Sequence, residues 1–265
     1  MARGEKVTAI ERIIDICEKL APSNLSAEWD NSGLIIGDAS IELKGIIVAL
    51  DVTDSAIDLA ESIGANLMIV HHPLIFSPLH KIETARPTGN LISRLIKNDI
   101  ALFAMHTNLD SAPHGLNDHV AKLIGLKKIR PVQAKEITYR IGSTKKIVDS
   151  GNFAIEVKER LGLKSVSHYG PRREIEKVAV CTGSGGDMLE EAIKAGADLL
   201  LTGDVRHHNA ITAKNLGIPL IDAGHAGTEN PMVELVTTFL KKSLTKTEKK
   251  IRITPFVMDE LYENY

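Results

Sequence analysis

Two stretches decide the architecture: IIVALDVTDSAIDLAESIGANLMIVHH at 46–72 and VAVCTGSGGDMLEEAIKAGADLLLTGD at 178–204. Aligned with Gly64 on Gly196, each reads as a strand, a turn, an amphipathic helix, a Gly-Ala-Asn/Asp cap and a second strand. The apolar runs 46–50, 67–70, 178–181 and 199–201 lack alternation, as short strands covered on both faces do. Gly64 and Gly196 fall where a helix ends on a left-handed residue. The likeness runs on, because NDIALFAMHTNLD (98–110) resembles LGIPLIDAGHAGTE (216–229): an apolar strand, then His, then an acid four residues later. Each repeat is therefore expected to be a βαβ unit followed by a further helix and strand, in a largely parallel sheet. Duplication is the preferred reading, against two ordinary αβ units alike by chance. The first repeat carries an extra loop, LIFSPLHKIETARPTG.

Outward from the repeats, ITYRIGSTKKIVD predicts a strand with a glycine turn, followed by a helix over about 151–161 and a short strand in KSVSHYG. PMVELVTTFLKKSL (231–244) predicts a helix with Pro in its first turn. KKSLTKTEKK reads as a solvated helix end and linker, and IRITPFVMDE as a last strand. At the N-terminus, Val7, Ile10, Ile13, Ile14, Cys17 and Leu20 are spaced as one helix face, which argues against a signal peptide.

Composition bounds the function classes. Over 265 residues, 43% are apolar and 25% charged, with a net charge of −2; the pI is near 6.6. Such a chain can bury a real core, and nothing global recruits nucleic acid or an anionic membrane. No apolar run approaches the roughly 20 residues that span a bilayer, so a cytoplasmic protein is expected. Cys17 and Cys181 are too few for a thiolate metal site and read as buried small hydrophobes.

The chemistry gathers after the strands. In open α/β sheets ligands collect beyond the C-terminal strand ends. His71-His72 follow LMIV and precede Pro73; His106 and Asp110 follow ALFAM; His225 and Glu229 follow IPLIDAG. Adjacent residues on an extended chain point opposite ways, so His71 and His72 are expected to reach different ions if they are ligands at all. Alone, the tandem is weak evidence and reads more readily as a structural or surface pair than as ligands. Imidazole and carboxylate are donors that zinc, iron, manganese, cobalt or nickel accept when thiolates are absent. Six candidate ligands exceed what one ion needs, which favours a pair of divalent ions, with Glu229 the natural bridge and a shared, acidified water.

In TGDVRHHNA (202–210), Asp204 reads as a helix cap, and His208 is a candidate proton carrier. GSGGD (183–187) fits no phosphate-binding fingerprint and reads as a turn. EWDNSGLIIGD (28–38) reads as packing of Trp29 between turns. His80, His114, His119 and His168 read as surface or packing residues.

Taken in order, WDNSGL, VALDVT, GANLMIVHHPLIF, MHTNLD, TGDVRHHNA and GHAGTE resemble the NGG-interacting-factor-like dinuclear metal proteins, often labelled GTP cyclohydrolase 1 type 2 homologues. The resemblance covers nearly the whole chain, in the family's short form. It implies two interlocked α/β halves, residues 1–125 with 230–265 and residues 126–229, holding a dimetal site between them. It also implies a toroidal homohexamer. His71, His72, Asp110, His225 and Glu229 match ligand positions, and His106 a histidine at or just outside the metal. Glu229 is expected to bridge, with His72 and Asp110 on one ion and His71 and His225 on the other. The favoured function is a metal-dependent hydrolase acting on a nucleotide or phosphorylated small molecule. The alternative is a non-enzymatic metal-binding or partner-binding regulatory protein. The family label itself specifies no substrate, and no element of the sequence specifies guanine.

Overall fold

The computed structural model describes residues 8–258; Val7 of the N-terminal helix face and the last two residues of IRITPFVMDE lie outside them. In chain order the elements are α1 (Ile10–Leu20), β1 (Gly33–Ile36), β2 (Gly45–Ala49), α2 (Asp54–Ile63), β3 (Leu67–Val70), α3 (Pro87–Lys97), β4 (Ala101–Ala104), α4 (Thr107–Ser111) and α5 (Leu116–Leu123). They continue with β5 (Lys127–Ala134), β6 (Ile137–Asp149), α6 (Ser150–Arg160), β7 (Ser167–Tyr169), β8 (Glu174–Val180) and α7 (Leu189–Lys194). The last are β9 (Leu199–Thr202), α8 (His207–Leu216), β10 (Leu220–Asp222), α9 (His225–Glu229), α10 (Pro231–Ser243) and β11 (Arg252–Phe256).

The chain forms two compact units. One runs to Leu109 and is completed by Met232–Met258; the other is Asp110–Pro231. Residues 110–125, placed in the first half on sequence grounds, group with the second unit, because α5 packs on β5, β6 and β8.

The first unit is built on a sheet of order β1-β4-β3-β2-β11. β4, β3, β2 and β11 are parallel, and β1 is antiparallel to β4. Every residue of β2, β3 and β4 is buried, which is what their unbroken apolar runs encode. Each buried Ile, Leu or Val contributes about 1.5–3 kcal/mol relative to exposure. The Thr53 side chain caps α2 by accepting from the Ala56 N–H, and Gly64 ends it at φ 69°.

The second unit has order β5-β6-β8-β9-β10-β7, with β8, β9 and β10 parallel and the flanking strands antiparallel. Gly142 is not a turn. It pairs with Val178 inside the long strand β6, where a Cβ would lie 2.9 Å from the Leu126 Cβ. The irregularity instead falls between Ser143 and Val148. The same topology thus recurs, β2-α2-β3-α3-β4 in one unit and β8-α7-β9-α8-β10 in the other. No helix among the described residues is long and apolar enough to cross a membrane.

Candidate metal centre

Strand register explains how distant histidines meet in the first unit. Ala49, Val70 and Ala104 form one row across β2, β3 and β4. Two residues beyond that row stand Asp51, His72 and His106. His71 joins them because the chain bends as β3 ends: the backbone N–H groups of both His71 and His72 donate to the Leu50 carbonyl, each at 3.1 Å. The bend cancels the alternation of an extended chain. The rings of His71 and His72 lie 5.1 Å apart, with His106 at 5.1 Å and 5.7 Å from them. One ring nitrogen from each of the three falls within 4.8 Å of the others. The bend thus turns both rings of the tandem toward His106.

Each ring is held by its Nδ1. His71 Nδ1 donates to the Met105 carbonyl at 2.7 Å, His72 Nδ1 to Asp51 Oδ1 at 2.8 Å and His106 Nδ1 to Asp30 Oδ1 at 2.7 Å. A carbonyl or carboxylate oxygen only accepts, so Nδ1 carries hydrogen and the lone pair of each neutral ring sits on Nε2. Metal-ligating histidines are normally oriented in this way. Asp30 is itself locked in place: burial alone would raise its carboxyl, but hydrogen bonds from His106, Thr107 and Ser32 outweigh that and hold it well below the usual carboxylate range.

In the second unit the turn after β8 is the hub. Thr182 Oγ1 donates to Asp110 Oδ1 at 3.0 Å, and the Gly183 N–H donates to Thr228 Oγ1 at 3.0 Å. His225 Nδ1 donates to Asp204 Oδ2 at 2.7 Å, while its Nε2 faces Glu229 Oε2 at 2.9 Å. The hydrogen bond to Glu229, aided by Asp204, pushes the imidazole up to about 9 against the opposing effect of burial. Gly183 adopts φ +65°, and a Cβ there would sit 2.2 Å from Glu229 Oε1 and 3.5 Å from His225 Nε2. The GSGGD segment is indeed a turn, and it is also the cradle of this carboxylate.

These donor sets fit a divalent cation. In the first unit three imidazoles are each oriented through Nδ1, and in the second His225 stands by a buried Glu229 carboxylate in a glycine cradle; each set is of the kind that could hold zinc, iron, manganese, cobalt or nickel. Three orienting acids carry no ligand-like signal in the sequence. Asp30 lies in a turn-rich stretch, and Asp51 is tied to His72 only through the β2–β3 register. Asp204 was read as a helix cap, whereas it holds His225; the residue preceding α8 is Arg206. His208 is exposed and faces Asp187 at 3.5 Å. His168 Nε2 meets Ser150 Oγ at 2.9 Å, a packing role.

A family model described as Duf34/NIF3 (NGG1p interacting factor 3) matches residues 8–260. The chain belongs to that family. Among NIF3 relatives, a GTP cyclohydrolase 1 type 2 homolog of Clostridium perfringens is 37% identical over 238 residues, covering 88% of this chain and 91% of the relative. A homolog of the same name from Clostridium acetobutylicum is 34% identical over 244 residues, covering 89% and 91%. The crystal structure of a Staphylococcus aureus protein superposes with a TM-score of 0.88 at 28% identity, covering 97% of this chain and 99% of that one. Reduced HcgD from Methanocaldococcus jannaschii gives 0.81 at 30% identity, covering 94% and 98%.

Proposed function

We propose that this NIF3-family chain is a metal-dependent hydrolase acting on a nucleotide or a related phosphorylated small molecule. Its working centre is a pair of divalent ions held by His71, His72, Asp110, His225 and Glu229, with His106 at or beside the first ion. The observation that carries this reading is the common setting of four imidazoles, each oriented by an oxygen acceptor at Nδ1 as metal-ligating histidines normally are. A bound pair of such ions supplies Lewis acidity and an acidified water.

The chain's own residues would do the rest. Asp30, Asp51 and Asp204 fix the tautomer and direction of His106, His72 and His225. Thr182 orients Asp110 by donating to it. Gly183 leaves room for the Glu229 carboxylate, and Glu229, with two oxygens, is the residue suited to bridging. The metal-free chain keeps charge balanced in this unit with a protonated His225 between two carboxylates, so loading must displace that proton.

The homohexameric ring implied by the family resemblance belongs to the same proposal, and light scattering of the full chain tests it. For the activity, metal-loaded protein is assayed on nucleotides and phosphodiesters. Turnover that falls sharply in Glu229→Ala supports the reading. Equal rates for the two proteins, or loss of melting temperature on metal removal with no substrate turned over, would end it.

A further inference from the structure

Beside the histidine group of the first unit stand two aromatic rings that the metal chemistry does not use. Trp29 and Phe76 are each 49% exposed. Their centroids lie 5.9 Å apart with the planes tilted by 46°. Both meet the His106 ring nearly edge-on, Trp29 at 6.2 Å and 77°, Phe76 at 6.1 Å and 80°. Trp29, expected from sequence to pack, is thus half exposed.

The rings are fixed rather than adrift. Trp29 directly precedes Asp30, whose carboxylate is held by His106, Ser32 and Thr107. Asn31 Nδ2 donates to the carbonyl of Ile75, the neighbour of Phe76, at 2.5 Å. Two loops are thus pinned to each other and to His106, and together they present a tilted aromatic wedge at the edge of the three imidazoles. Scattered single apolar side chains on a surface need no explanation, but an anchored aromatic pair against a candidate reactive group does.

We infer that Trp29 and Phe76 receive a planar heteroaromatic ring, so that the substrate class is one bearing a nucleobase or a similar fused nitrogen heterocycle and not a sugar phosphate alone. This rests on the reading of the histidine group as the reactive centre. Flat rings stack on Trp and Phe faces whatever their hydrogen-bonding edges, which leaves the choice of base to other contacts. A second protein copy is the less suited occupant. The other exposed apolar residues of the same loop, Leu79 and Ile82, line a separate groove with Gly89 and Ile92 of α3.

Trp29 is the sole tryptophan, so its fluorescence reports on this wedge without any turnover. The full chain, with and without added manganese, is titrated with guanosine, adenosine, GMP and ribose 5-phosphate, with free N-acetyltryptophanamide correcting for absorbance. Saturable quenching by the nucleosides and GMP but not by ribose 5-phosphate is expected. Phe76→Ala should weaken it by about 5- to 150-fold, the range of one lost base stack, and Phe76→Tyr should restore it. Quenching that persists in a chain unable to bind manganese would support the wedge while sinking the metal reading. Intact manganese binding without any response to the bases overturns the inference alone, as would equal quenching by ribose 5-phosphate or a signal that follows protein concentration only.

Discussion

Replacing Gly183 by alanine perturbs the centre in a way the coordinates quantify. Two effects are expected, and Gly217→Ala separates them. Both glycines have left-handed backbones, at φ +65° and +67°. An L-residue there costs about 1–2 kcal/mol, so denaturant unfolding of the metal-free variants should show similar losses. Around Gly217 nothing lies within 4 Å of an added Cβ, whereas at Gly183 it would sit 2.2 Å from Glu229 Oε1. The struck atom is the end of a side chain, so Gly183→Ala should fold, but only by moving the carboxylate, whose other oxygen lies 2.9 Å from His225 Nε2. Titration calorimetry with zinc or manganese should then show parental affinity for Gly217→Ala and about 10–100-fold weaker binding for Gly183→Ala, the usual effect of disturbing a ligand's support. Equal affinities for the two variants would refute the claim that the glycine turn shapes the Glu229 site.

Other outcomes follow from the same geometry. Asp30→Asn should weaken metal binding by about 10–100-fold in that titration, because His106 loses the carboxylate that orients it. Arg140 is almost fully buried, bonded to Asp118 at 2.7 Å and to the Ala112 carbonyl at 2.6 Å just beyond Asp110. Arg140→Ala should therefore cost about 3–5 kcal/mol in equilibrium unfolding. Burial, reinforced by Asp110 and Glu229, pushes the Cys181 thiol up to about 12, and burial holds Cys17 higher still. Both stay protonated through neutral and mildly alkaline pH. Mass spectrometry after iodoacetamide at mildly alkaline pH should find no adduct on the native chain and alkylation of both cysteines in denaturant.

The fold was legible where one force decided it. The runs IIVA and LMIV have no polar face, so they became interior parallel strands, and Gly64 marked its helix end because a left-handed cap favours glycine. Gly142 misled because its role is close packing inside β6, which no local turn pattern reveals. At the site, the residue types and their places after strands were readable, since the repeat put His106 and His225 in equivalent contexts. The approach of His71 and His72 was not, because it depends on a bend created by two backbone bonds to one carbonyl. Nor were Asp30 and Asp204 as orienting groups, for their partners lie 76 and 21 residues away. The partner of Asp51 follows only after the β2–β3 register is known.

The most direct test is metal analysis of the full chain purified without added metal, alongside His71→Ala and Glu229→Ala. The account predicts about two divalent ions per native chain, with the variants retaining clearly fewer at unchanged helix content. A native protein that holds no metal, and takes none up on titration, would contradict it.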